Sequence, residues 1–122
     1  MTIREAIDEV TNIRPAAYDD SFMVKWLSRC EAYLDQEIVR RYQGACKPFH
    51  GFPSDVDENT KLLAWEPHDS LYVHWLEAQI HYANGDIDKY NNAITMFNTE
   101  VESFRREYAR RHKPLRRVRF RF

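Results

Sequence analysis

Three features of the 122-residue sequence predict an all-α domain: apolar residues recur at steps of three and four over several stretches, helix-end signals flank those stretches, and only three glycines interrupt them. Only the last six residues alternate with a period of two. No apolar run approaches the ~18 residues that a bilayer crossing needs, so no membrane span is expected. One domain of this length can bury a single core, and its fourteen per cent aromatic content enlarges that core.

The elements follow in chain order. Thr2 and Glu5 form a capping box, and Ile3, Ile7 and Val10 then repeat at helical spacing, so a short helix is expected over 3–12, ended by Pro15. Asp19 or Asp20 can cap a second helix reaching about Tyr42, with a stripe of Met23, Leu27, Cys30, Leu34, Ile38 and Tyr42 flanked by Trp26 and Tyr33. Arg40 and Arg41 suit its carboxyl end, and Gly44 stops it. Residues 44–65 form a long irregular loop containing Pro48, Gly51 and Pro53, and Leu62, Leu63 and Trp65 are expected to pin its far end.

Pro67 suits the first turn of a third helix, which is apolar on nearly every side from Leu71 to Ala83 and therefore central or at a subunit interface. Asn84-Gly85 closes it, and Asp86 caps a fourth helix. There Ile87, Tyr90, Ile94, Phe97, Val101, Phe104 and Tyr108 mark a 3.5-residue seam, read first as domain core and second as a coiled-coil interface. From Ile87 to His112 this helix spans about 39 Å at ~1.5 Å per residue, so its basic end is expected to project, with Pro114 ending it. The organisation is thus a four-helix domain over 1–114 with a long loop between the second and third helices, and an extended tail over 115–122.

The net charge of −1 hides a division. Residues 1–104 carry 9 Lys/Arg against 18 Asp/Glu, which gives −9. Residues 105–122 carry 9 Lys/Arg against Glu107 alone, which gives +8. The opening Met1–Glu5 lacks the apolar stretch that directs export, and Cys30 and Cys46 share no C-x-x-C spacing, so an intracellular protein with reduced cysteines is expected.

Motifs that carry chemistry are weak. Asp55, Asp57, Asn59, Leu62 and Glu66 fall in an EF-hand register, but Thr60 stands where the sharp turn needs glycine and Pro67 interrupts the exiting helix, so an ordinary acidic loop is preferred. His74, Glu77 and His81 share one helical face, yet three ligands from one helix make a poor metal site. Cys30 lies on an apolar stripe, as a core residue does. There is no G-x-S-x-G, no P-loop and no glycine-rich fingerprint. Neither an enzyme nor a cofactor is expected.

The run Leu71-Tyr72-Val73-His74-Trp75-Leu76, then Ala78, Ile80, Tyr82, Gly85-Asp86-Ile87, Tyr90-Asn91-Asn92-Ala93 and Met96-Phe97-Asn98, resembles small phage head–tail connector (adaptor, head-completion) proteins encoded in prophages of Gram-positive bacteria. Thr2-Ile3-Arg4-Glu5-Ala6, Tyr18-Asp19-Asp20 with Lys25-Trp26-Leu27, and the close at His112 to Pro114 are similar too, so the likeness covers most of residues 1–114. It implies an α-helical virion subunit, assembled in the host cytoplasm, that forms a ring of twelve beneath the portal of a long-tailed phage. The implied partners are the portal protein, further copies of the chain, a downstream neck or tail-completion protein, and double-stranded DNA passing through the channel.

The tail lies outside that resemblance. Arg117, Arg119 and Arg121 alternate with Val118, Phe120 and Phe122 after Arg116, a pattern that suits a solvated end, docking onto another protein, or contact with nucleic acid. In a connector the docking target is the portal. Phe49, Phe52, Asp55 and Asp57 of the long loop are the expected contacts with other subunits. An acidic ring lumen would let DNA slide by like-charge repulsion. The competing expectation is a nucleic-acid-binding helical module that uses the basic cluster from Arg105 to Arg121.

Overall fold

The computed structural model describes residues 1–13, 18–42 and 48–112. It contains four α-helices, α1 (Ile3–Ile13), α2 (Asp20–Glu37), α3 (Ser70–Ala83) and α4 (Ile87–Arg111), and a 3-10 turn over Val39–Arg41. Among the described residues there is no strand, although an isolated antiparallel bridge pairs Thr2 with Lys61. The extended tail over 115–122, Pro15, Gly44 and Pro114 lie outside the described residues.

The capping box at α1 forms in both directions: Thr2 N–H donates to Glu5 Oε1 at 2.8 Å and Glu5 N–H to Thr2 Oγ1 at 3.2 Å. Ile3, Ala6, Ile7 and Val10 then turn one face wholly into the core. Met23, Leu27, Cys30 and Leu34 do the same for α2. That helix ends at Glu37 rather than near Tyr42, because Ile38 departs from helical geometry (φ −120°, ψ −61°). A continuous helix would turn the adjacent β-branched Ile38 and Val39 about 100° apart, with one of them off the stripe. The break instead buries both, and Arg105 Nη1 of α4 donates to the freed Glu37 carbonyl at 3.3 Å.

The third helix starts at Ser70, so Pro67 precedes it rather than opening it. The residues before Ser70 are spent on turns, with His68 N–H donating to the Trp65 carbonyl, and these hold Trp65 against Phe104 at 4.9 Å between ring centroids. At the far end the Gly85 N–H reaches the Tyr82 carbonyl and the Asp86 N–H the His81 carbonyl, the two bonds of a Schellman cap. Gly85 supplies the left-handed residue it requires, at φ 77°. Asp86 Oδ1 then accepts the Lys89 N–H at 3.2 Å and starts α4.

Helix α3 is central, packing against α1, α2 and α4, and it buries Leu71, Tyr72, Val73, Leu76, Ala78, Ile80 and His81. Along α4 the seam serves the domain's own core at Phe97, Val101, Phe104 and Tyr108, while its member Ile94 is half-buried and the neighbouring Ala93 is buried in its place. The seam's expected beginning is different: Ile87 is 55% exposed, and the one aromatic ring that Tyr90 meets among the described residues is the exposed Tyr82 of α3, at 5.5 Å. The basic end of α4 does not stand free either. Tyr108 is buried, with His112 stacked on it at 3.8 Å, Tyr42 at 5.2 Å and Trp65 at 6.0 Å, and the Arg111 guanidinium covers the Trp65 ring at 4.6 Å. Aromatic packing seats the helix end on the domain while Arg106, Arg110 and Arg111 stay exposed to water.

Candidate partner-binding surfaces

Among its described residues the long loop is attached at its far end and in its middle. Residues 58–62 run beside the chain start, with Ile3 N–H donating to the Thr60 carbonyl, Arg4 N–H to the Glu58 carbonyl and Leu62 N–H to the Met1 carbonyl. The first two satisfy amides of the first turn of α1 that have no partner within the helix. In the middle, Phe52 N–H donates to Ser28 Oγ at 3.0 Å and Phe49 N–H to Asp35 Oδ2 at 3.3 Å. Gly51 permits this approach: its φ is 114°, and a Cβ there would stand 3.1 Å from Ser28 Oγ.

Between this loop and α2 lies a cleft of about 500 Å³. Val24, Phe52, Pro53 and Val56 supply its apolar surface, while Asp20, Lys25 and Glu58 supply its charges. At its edge Arg4 Nη1 meets Asp20 Oδ2 at 2.8 Å and Glu58 Oε2 at 2.9 Å, and Arg4 Nη2 meets Asp8 Oδ1 at 2.9 Å. One guanidinium therefore serves three carboxylates, each roughly half exposed, and the edge keeps an acidic surplus. Asp55 and Asp57 are exposed on the same loop.

Of the expected loop contacts, Phe49 and Phe52 meet each other edge to face at 4.9 Å. Phe52 also packs against the core, so both rings help to hold the loop to its own domain. Asp57 Oδ1 accepts the Asn59 N–H at 2.9 Å and Asp57 O accepts the Thr60 N–H, a local turn that uses its side chain. The candidate tail residues Arg116, Arg117, Val118, Arg119, Phe120, Arg121 and Phe122 lie outside the described residues, as does Cys46.

The histidine face of α3 is engaged with α4. His74 Nε2 stands 3.0 Å from Glu100 Oε1 and His74 Nδ1 3.9 Å from Glu77 Oε1, and Ser70 Oγ donates to Glu100. Among the described residues no group of His, Cys, Asp or Glu side chains is placed to share a metal ion. No helix among them is long and apolar enough to cross a membrane.

A buried polar node lies at the end of the loop. Glu31 of α2 is 7% exposed and accepts the Tyr72 hydroxyl and, at 3.0 Å, the Leu63 N–H; the Tyr72 oxygen accepts the Ala64 N–H at 2.8 Å. Burial raises the Glu31 carboxyl above its ordinary value, against the lowering effect of the two hydrogen bonds. Burial likewise pushes the Tyr72 phenol and the Cys30 thiol well up, so Cys30 is an unreactive core thiol. Neither the node nor the Arg4 hub was legible in sequence: Arg4 lies between Thr2 and Glu5 with nothing in its spacing to mark Asp20 or Glu58, and Glu31 sits beside Cys30 at the border of the apolar stripe.

No protein-family model, curated protein or solved structure matches this chain.

Proposed function

We propose that the chain is a structural assembly subunit, one that works by surface complementarity and makes or breaks no bond. More particularly, it is a phage head–tail connector that docks beneath the portal, helps form the DNA exit channel and receives the tail. The observation that carries this reading is the run from Leu71 to Asn98: the residues resembling connector proteins make up the α3–α4 hairpin around which the rest of the domain is built. The division of charge supports it, because an acidic body with a basic end suits separate surfaces for separate neighbours. On this reading the protein binds no cofactor, and its place is the neck of the virion. The tail residues Arg116 to Phe122 are its contact with the portal.

The test is co-purification with the portal protein encoded in the same phage genome, using the full chain and the triple variant Val118→Ser, Phe120→Ser, Phe122→Ser. Retention of the wild type and at least ~10-fold weaker retention of the variant are expected, from the loss of three apolar anchors. Light scattering of the portal-bound material should show added mass near 176 kDa, twelve times 14.7 kDa. The reading is overturned by absent portal binding together with DNA binding that falls steeply with salt and vanishes when 115–122 are deleted.

A further inference from the structure

We infer that the outer face of α4, opposite its core seam, joins two copies of this chain with the helices antiparallel and centred near residue 97. Two properties of that face point to a second copy. The first is its middle. From Tyr90 to Thr99 no residue is charged, although 30% of the whole chain is, and Asn91, Thr95, Asn98 and Thr99 are all exposed there. Thr95 Oγ1 donates to the Asn91 carbonyl at 2.8 Å and Thr99 Oγ1 to the Thr95 carbonyl at 3.0 Å. Both hydroxyl donors are therefore satisfied by the helix itself, whether or not a neighbour covers them. The second property is the ends. Asp88 and Arg106 are exposed, and neither is in a salt bridge among the described residues. They lie five turns apart at ~3.6 residues per turn, so they share one line along the helix, about 27 Å from each other.

The line thus reads acid, neutral middle, base. Its complement is the same line reversed, which an antiparallel copy presents. Turned about a twofold axis near residue 97, the second copy sets Asp88 against the partner's Arg106 and Thr95 against the partner's Thr99. Asn91 then lies beside the partner's Glu102, whose carboxylate accepts an amide hydrogen while its own Arg105 Nε stays at 3.2 Å. Asn98 meets its counterpart close to the axis, and a carboxamide both donates and accepts. None of these meetings sets like charges together. Parallel copies would oppose Asp88 to Asp88 and Arg106 to Arg106. Over residues 1–104 as a whole, the −9 balance makes two copies repel, so a face with a neutral middle and opposite ends is where they approach at least electrostatic cost.

The contact pairs a surface with itself, so it closes at two copies. A ring of twelve joins unlike surfaces, and the portal contact proposed above belongs to the tail. The α4 pair uses neither, so it goes beyond the connector reading, does not rest on it, and describes the protein when free. One helix face about 27 Å long is a small interface, and association is expected in the ~0.1 mM range.

The test is sedimentation equilibrium of the full chain over a range of concentrations. The wild type should pass from 14.7 kDa toward twice that mass as concentration rises. Raising salt to about 0.5 M should weaken the association severalfold. Asp88→Arg alone and Arg106→Asp alone each create two like-charge contacts by symmetry, so each should weaken it at least ~10-fold. The double variant Asp88→Arg, Arg106→Asp restores opposite charges in the reverse order and should return to within about threefold of the wild type. That recovery also shows that the single variants fail by charge and not by unfolding. A wild type that stays at 14.7 kDa up to ~2 mM overturns the proposal. So does a dimer indifferent to the single reversals, which would place the contact on another surface. A double variant no better than the singles, or association that continues past two copies, equally overturns it.

Discussion

Glu31 shows how one side chain sets a pH dependence. Its folded value is raised above the ordinary 4.5 chiefly by burial, so the folded protein binds its proton more tightly than the unfolded chain does. Stability from this group is therefore greatest below pH 4.5, falls as pH rises through the window between the two values, and stays lower above it. The carboxylate nevertheless suits the donors around it, because it accepts from both Tyr72 and Leu63. Glu31→Gln should remove that downward slope, while losing about 1 kcal/mol because one of its two polar atoms must face a donor with a donor. Urea midpoints of the two proteins across pH 4 to 8 check both parts: the difference between them should shrink as pH rises. A second residue-scale expectation concerns Gly51, where φ is 114° and a Cβ would crowd Ser28 Oγ. Gly51→Ala should cost about 1–2 kcal/mol, read as a lower urea midpoint with an unchanged slope.

At the scale of elements, α1 depends on the loop as much as on its own capping box. Arg4 joins α1 to the start of α2 through Asp20 and to the loop through Glu58. These are partly exposed pairs, each worth little alone, and their value lies in sharing one cation. Arg4→Met should lower stability by about 1 kcal/mol at low salt and by less in 0.5 M salt, which thermal melts at two ionic strengths would show. The aromatic end of α4 carries a larger share. Phe104 is fully buried and meets Trp65, Tyr108 and His68, so Phe104→Ala should cost about 3–5 kcal/mol. The hairpin of α3 and α4 was readable because its signals are local: a capping Asp86, a Gly85 at the turn and a seam that repeats every three or four residues. The end of α2 was not, since the choice to bury both Ile38 and Val39 depends on what packs against them.

For the whole molecule the relevant quantity is the placement of charge relative to the fold. The acidic members Asp8, Asp20 and Glu58 gather where α1, α2 and the loop meet, and Arg105, Arg106, Arg110 and Arg111 stand on the last turns of α4. Apolar residues at steps of three and four, with end signals, made the four-helix architecture legible, because each helix announces itself within a dozen residues. The cleft was not, because it joins Asp20 and Val24 to Phe52, Val56 and Glu58 across about thirty residues, and sequence spacing carries no trace of that meeting. The loop was read as a surface for partners. Its phenylalanines turn out to brace it against its own helix, and the surface they help create is the cleft beside them.

The pairing of residues 1–4 with 58–62 also decides how the domain comes apart. Its backbone bonds join segments more than fifty residues apart, so none can reform locally once the others are lost. The amides of Ile3, Arg4 and Leu62 should therefore exchange with solvent deuterium as one cooperative unit, with a common opening free energy below that of the buried turns of α3. A partner that grips the loop would then raise protection at the distant start of the chain, reporting its own arrival through amides it never touches.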